Sequence, residues 1–239
     1  MERGGIAPCN QLKQLTLGVR LRANAVFASF SPGANDELLS VLHGSTRDPI
    51  WLWGNRGCGK THLLQAVCAA GGASAAYFPL ERSVALPPQA LSGFENCRVL
   101  CVDDVDAVAG HLEWEQALFR LFNEASELNT RMIFAARAAP RHIDWRLDDW
   151  RSRAAACIVY QVRELDEAGR AEALRLRAAQ RGLRLPAETL DYLLKRMPRD
   201  LPSLFDILDE LDEASLVAQR RLTIPFIRDA LEKHARIKP

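Results

Sequence analysis

Gly54-Asn55-Arg56-Gly57-Cys58-Gly59-Lys60-Thr61 follows the apolar run Ile50-Trp51-Leu52-Trp53 and opens directly into the helical pattern His62-Leu63-Leu64-Gln65-Ala66-Val67. It fits the phosphate-binding loop G-x-x-x-x-G-K-[ST]. Its three glycines let backbone N–H groups converge on an anion at a helix N-terminus. Lys60 adds a point charge for β- and γ-phosphates, the Thr61 hydroxyl is a ligand for Mg²⁺, and His62 adjoins the cradle as a further nucleotide contact. The competing reading is a Gly-rich turn with an incidental Gly-Lys-Thr, but strand, loop and helix all stand where the motif demands them.

A phosphate loop needs a metal partner, and the next strong strand candidate, Arg98-Val99-Leu100-Cys101-Val102, ends in Asp103-Asp104. Asp103 is expected to hold the water shell of Mg²⁺. Asp104 occupies the place where a hydrolytic enzyme of this class carries a Glu to polarise the attacking water. Aspartate is one methylene shorter, which leaves activation of water by this chain open. The alternative is a pair of acids ending a strand as a solvated turn.

The chain has 239 residues, 48% of them hydrophobic, enough for one α/β domain plus a small second domain. No apolar run approaches the ~18 to 20 residues that span a bilayer. The N-terminal stretch has no apolar core of the kind a secretory signal needs. The expectation is a cytoplasmic protein without a membrane partner. The formal net charge is +1, from 31 basic and 30 acidic residues, so strong direct DNA binding is not expected. Arg137-Ala138-Ala139-Pro140-Arg141-His142 and Trp150-Arg151-Ser152-Arg153 are the local basic segments. The cysteines Cys9, Cys58, Cys68, Cys97, Cys101 and Cys157 show no spacing typical of zinc and read as ordinary thiols, with Cys58 open to alkylation inside the loop.

Strand candidates recur at 50–53, 75–78, 98–102, 131–135 and 158–162, with helical segments between the first four, as a parallel doubly wound sheet requires. Trp114, Leu118, Leu121, Phe122 and Ala125 fall at helical spacing and read as core. After Val162 the pattern is helical: one helix from Asp166 to Gly182, one from Pro186 with Leu190, Leu193, Leu194 and Met197, one from Asp200 with Leu204, Phe205, Leu208 and Leu211, and one after Thr223. The division is a flexible arm over 1–24, an α/β nucleotide-binding domain over 25–163 and a helical domain over 164–239.

A phosphate-loop domain followed by a helical lid resembles the AAA+ ATPases. Gly59-Lys60-Thr61-His62-Leu63-Leu64 resembles the DnaA form of the loop, and Phe27-x-x-Phe30-x-x-Gly33-x-Asn35 resembles the DnaA segment that packs around adenine. Leu204-Phe205-x-x-Leu208-Asp209-x-Leu211-Asp212 and 218–226 resemble the Hda family, the regulatory inactivators of DnaA. The fold so implied is an AAA+ P-loop NTPase domain with a parallel five-stranded sheet, followed by a small all-helical lid. The chain reaches Pro239 directly after that lid, without the helix-turn-helix of an initiator. Gln14-Leu15-Thr16-Leu17 resembles the peptide by which that family docks on the DNA polymerase III sliding clamp (beta subunit), with Gly18 where the family prefers proline.

The resemblance further implies that Arg153 is an arginine finger acting on the nucleotide of a neighbouring subunit, against the alternative of an arginine paired with Asp148 or Asp149. Arg137 stands at the first sensor position and Pro202 at the second, with Arg199 one turn earlier as a substitute. Loss of a cation near the γ-phosphate suits the site to hold a diphosphate. The implied function is regulation of replication initiation: with ADP or ATP and Mg²⁺ bound, and tethered to the DNA-loaded clamp, the protein stimulates ATP hydrolysis by DnaA and prevents re-initiation, and a homodimer is left open. The alternatives are an ATP-hydrolysing helicase loader or minimal DnaA-like initiator using Asp104, and a non-hydrolysing scaffold.

Overall fold

A computed structural model of the chain describes residues 25–197, 200–218 and 222–235. The clamp-like peptide Gln14-Leu15-Thr16-Leu17 and Arg199 lie outside the described residues. Strands β1 (Ile50–Trp53), β2 (Ala75–Pro79), β3 (Val99–Asp103), β4 (Arg131–Ala136) and β5 (Ile158–Gln161) form one sheet in the order β2-β3-β4-β1-β5. Every pairing is parallel, with Ile50 opposite Ile133 and Ile158, and Val99 opposite Ala75 and Arg131. The five-stranded parallel sheet expected from the spacing of apolar runs is therefore present.

In strands buried on both faces, alternate residues supply two separate cores. Trp51, Leu100, Val102 and Phe134 pack on one side with Trp114, Leu118 and Phe122 of α4 (Leu112–Glu127) and Trp150 of α5 (Asp148–Ala155). Ile50, Leu52, Cys101 and Ile133 pack on the other with Leu38 and Leu42 of α1 (Asp36–His43) and Leu63, Leu64 and Val67 of α2 (Lys60–Gly71). Strand β5 is the exception, because Ile158 and Val159 stay exposed at the sheet edge. The expected helix between β2 and β3 is reduced to the four-residue α3 (Leu80–Ser83) and two 3-10 turns, Pro88–Leu91 and Phe94–Asn96. Pro87-Pro88 and the left-handed Gly93 break the run there. Asp103 closes β3 as its last residue instead of following it.

Contacts divide the chain into two units, one up to Phe30 with Asn35–Glu164, the other Ser31–Ala34 with Leu165 onward. The second unit contains α6 (Glu167–Gln180), α7 (Ala187–Arg196), α8 (Leu201–Ala218) and α9 (Ile224–Ala235). Asp166 caps α6 by accepting from the Gly169 amide at 2.7 Å, and Gly182, at φ 71°, turns the chain after it. Leu174, Leu190, Leu204 and Leu208 form one apolar cluster, and Leu193, Leu211, Leu222 and Ile227 form another. Arg177 of α6 and Arg181, which caps its end, clamp Asp209 of α8 at 2.9 and 2.8 Å, and Arg181 also reaches Asp212 at 3.1 Å. Among the described residues, no helix is long and apolar enough to cross a membrane.

Trp150 is fully buried and meets Phe122, Phe134 and Trp145 edge to face. Trp150→Ala is expected to cost about 3–5 kcal/mol, read as a lower urea midpoint for the α/β unit. Trp150→Phe is expected to cost much less, because the indole N–H it removes has no hydrogen-bond partner among the described residues.

Candidate functional site

Parallel strands place their C-terminal ends at one edge of the sheet, and that edge gathers the loop after β1, Asp103 at the end of β3 and Arg137 after β4. The loop has no freedom to be anything but glycine at two points. At Gly54, with φ 155°, a Cβ would stand 2.6 Å from the carbonyl oxygen of Val162; at Gly59, with φ 106°, it would stand 2.7 Å from the Phe30 ring. Gly57 is also left-handed, at φ 84°. Helix α2 begins at Lys60 with no side-chain cap, and among the described residues no backbone acceptor takes the amides of Gly57, Gly59, Lys60 or Thr61. Such a row of free donors at a helix N-terminus is a cradle for phosphate oxygens.

Lys60 is 7% exposed. Its ammonium donates to the carbonyl oxygens of Gly54 at 2.6 Å and Asn55 at 3.0 Å, so it is held inside its own loop. Thr61 is exposed beside it. Asn55 donates to Glu164 at 2.7 Å, while Arg56 points to solvent. Cys58 differs from expectation. It is buried, its Sγ lies 3.9 Å from Lys60 Nζ, and burial pushes its thiol above the ordinary value, so the folded loop shields it from alkylation. His62 contacts Ser29 Oγ and the Val26 carbonyl oxygen, both at 3.1 Å, and its ring lies 5.7 Å from that of Phe30. It therefore anchors the strap that precedes α1. Asn35 secures the other end, exchanging both amide bonds with the Arg163 backbone at 3.0 and 2.8 Å.

Asp103 is fully buried. Its Oδ2 accepts from the Tyr77 hydroxyl at 2.8 Å and its Oδ1 from the Asp104 amide at 3.0 Å, which leaves a lone pair on each oxygen for a metal-bound water. Burial, then the Asp103 charge, drives the Tyr77 hydroxyl well above its usual range. Asp104 adopts the left-handed conformation, at φ 53° and ψ 46°. Burial, followed by the charges of Asp103, Glu81 and Asp106 and opposed by Lys60, pushes its carboxyl up to about 6. Arg137 binds Glu81 at 3.1 Å and lies 3.8 Å from Asp106, whose other oxygen accepts the Arg137 amide at 3.2 Å. The cation at this position is thus committed to protein carboxylates.

Arg153 sits in the last turn of α5 and is exposed, with its guanidinium carbon 5.9 Å from the centre of the Phe122 ring. Asp148 pairs with Arg151 at 2.8 Å, and no carboxylate among the described residues pairs with Arg153. Glu115 was hidden in the helical pattern of α4, yet it fixes the approach to α5. Fully buried, it accepts backbone amides from Gly110 at 2.7 Å, Arg146 at 2.8 Å and Leu147 at 2.6 Å. A charged residue inside an apolar stripe was the only signal for it. Tyr77, Glu81 and Glu164 are likewise contacts across sequence separations that no local motif marks.

Residues 166–231 match the family described as Hda, lid domain. Domain III of the replication initiation protein DnaA from Thermotoga maritima is 21% identical, with a TM-score of 0.77, covering 92% of this chain and 100% of that one. AMPPCP-bound DnaA from Aquifex aeolicus is 24% identical, with a TM-score of 0.67 over 80% of this chain and 65% of that one. The RuvB Holliday junction branch migration motor of Thermotoga maritima is 13% identical, with a TM-score of 0.62 over 82% and 67%. The α/β unit and lid together have the AAA+ fold.

Because the carboxyl of Asp104 titrates near 6 in the folded chain against 3.8 ordinarily, the folded state holds the extra proton between those values. Stability is then expected to fall as pH rises through that window. Asp104→Asn should stabilise the nucleotide-free protein by roughly 1 kcal/mol near pH 7.5, where a partly exposed site screens the repulsion. Urea melts should show the gain vanishing towards pH 4, and an equal gain at both pH values would refute the assignment.

Proposed function

We propose that this chain, which is a Hda/DnaA-related protein of the AAA+ class, regulates the initiation of chromosomal replication by stimulating ATP hydrolysis in DnaA. In this reading an adenine nucleotide, with ADP favoured, lies in the loop from Gly54 to Thr61 and touches His62. The loop amides and Lys60 receive its phosphates, and Thr61 and Asp103 hold Mg²⁺, which supplies charge neutralisation there. The donor set supports this assignment: unsatisfied backbone amides for phosphate, and hydroxyl and carboxylate oxygens for a hard cation. The AMPPCP bound to DnaA supports adenine as the base.

The observation that carries the proposal is the exposed Arg153 guanidinium without a carboxylate partner among the described residues. Trp150 and Glu115 hold the helix that displays it. A guanidinium presented in this way serves a neighbouring molecule's phosphate, where an arginine finger contributes ~10³ to 10⁵ in rate for GTPases. Gln14-Leu15-Thr16-Leu17 is the proposed tether to the DNA-loaded sliding clamp, with Gln14 at a pocket rim and the leucines in an apolar cleft. Tethering raises the local concentration without new contacts to DnaA. Arg137 bound to Glu81 and Asp106 supports weak turnover by the chain itself. A loader or minimal initiator remains the second reading, favoured by Asp104 standing next to Asp103 and close to Lys60.

The test is phosphate release from ATP-loaded DnaA of the same organism, with this protein and DNA-loaded clamp added and each component's own turnover subtracted. Acceleration is expected to require the clamp, to vanish with Arg153→Ala and to need a higher protein concentration with Gln14→Ala. Absence of acceleration together with strong turnover by this chain alone, abolished by Asp104→Asn, would establish the loader in its place.

A further inference from the structure

A second concavity lies at the opposite edge of the sheet, where β3 and β4 begin and α1 and α2 end. Its volume is about 310 Å³, at the lower end of small-ligand pockets. Arg47, Arg98 and Arg131 all line it, with Phe27, Leu42 and Val67 supplying apolar surface. Arg131 opens β4 and donates to the carbonyl oxygens of Val41 and Leu42 at 3.1 and 2.9 Å, while its Nε is buried with no hydrogen-bond partner among the described residues. Arg47 donates to the Asn129 carbonyl oxygen. Arg98 makes no side-chain bond among the described residues, and none of the three arginines pairs with a carboxylate there.

Three guanidiniums gathered on one concavity repel one another unless something negative lies between them. The C-terminal ends of α1 and α2 supply only about half a charge each, and Arg131 already uses the first of them. Roughly two positive charges remain uncompensated. No carboxylate lines the wall. Arginine forks match the oxygens of phosphate, and the recess is sized for a compact molecule. We propose that this recess binds a phosphorylated small molecule through Arg47, Arg98 and Arg131, at a site separate from the Gly54–Thr61 loop and independent of the function proposed above.

Inorganic pyrophosphate is the probe, titrated calorimetrically into the full chain under two conditions. One is saturation with ADP, and the other is a Lys60→Ala background; both take the loop out of play. One binding event is expected to survive in each. Arg47→Ala and Arg98→Ala, both at exposed positions, should each weaken it about ten- to a hundredfold, with ADP affinity unchanged. The proposal is overturned by silence in both conditions, or by binding that neither substitution weakens. It is equally overturned if a short single-stranded oligonucleotide binds through these arginines while pyrophosphate does not.

Discussion

Backbone amides at the start of α2 have no backbone acceptor among the described residues, and much of the surrounding structure serves to keep them in that condition. Gly54 is pressed against the carbonyl oxygen of Val162 and Gly59 against the ring of Phe30, leaving no space for a Cβ at either point. The strap that supplies Phe30 is fixed by His62 on one side and by the Asn35–Arg163 pair on the other. Lys60 turns back on the loop's own carbonyls. A loop so constrained keeps its donors aligned before any ligand arrives, so ordering it costs little when an anion binds.

The charged side chains divide by what satisfies them. Glu115 and Asp103 are fully buried, and each accepts at least two hydrogen bonds, the condition under which a buried carboxylate is tolerated. Glu115 spends its bonds on the backbone just ahead of α5, which makes the direction of that helix a consequence of a buried charge. Trp150 completes the constraint from the apolar side. Arg153, one turn further on, lies over the Phe122 ring and pairs with no carboxylate among the described residues. A rigid mount and an uncommitted guanidinium on the same short helix suit action on a second molecule better than a role inside this one.

Local patterns made most of the framework legible. The loop from Gly54 to Thr61 announces strand, turn and helix together, and in α4 the residues Trp114, Leu118, Leu121, Phe122 and Ala125 all turn to the core, as their spacing required. The connection from β2 to β3 was less legible, since its apolar residues are interrupted by Pro87-Pro88 and Gly93 and settle into short turns. Which acid and arginine pair could not be read from Asp148-Asp149-Trp150-Arg151-Ser152-Arg153, because Arg151 stands three residues after Asp148 and Arg153 four after Asp149, both within helical reach. Geometry selects Arg151 at i,i+3. Cys58 read as reachable from its place in the motif, but left-handed Gly57 and Gly59 on either side turn its side chain inward. Contacts such as Tyr77–Asp103 and Asn55–Glu164 depend on strand order and leave no trace in local sequence.

The charge around the phosphate end of the site bears on how chemistry is shared between molecules. Asp103, Asp104, Asp106 and Glu81 gather within electrostatic reach of one another, against Lys60 and Arg137. Arg137 is held by two of those acids, so its charge is largely spent. A triphosphate brings more negative charge into this neighbourhood than a diphosphate does, and each further charge meets a carboxylate cluster offset chiefly by Lys60, which is held on neutral carbonyls and keeps its charge. Asp104, left-handed and with its carboxyl pushed up to about 6, is still mostly ionised at neutral pH and lies nearer the range of a general base, so weak turnover by this chain rests on the charge balance and not on this carboxyl. That charge balance supports the proposed reading, in which the site retains a diphosphate and bond breaking falls to a neighbouring molecule reached by Arg153.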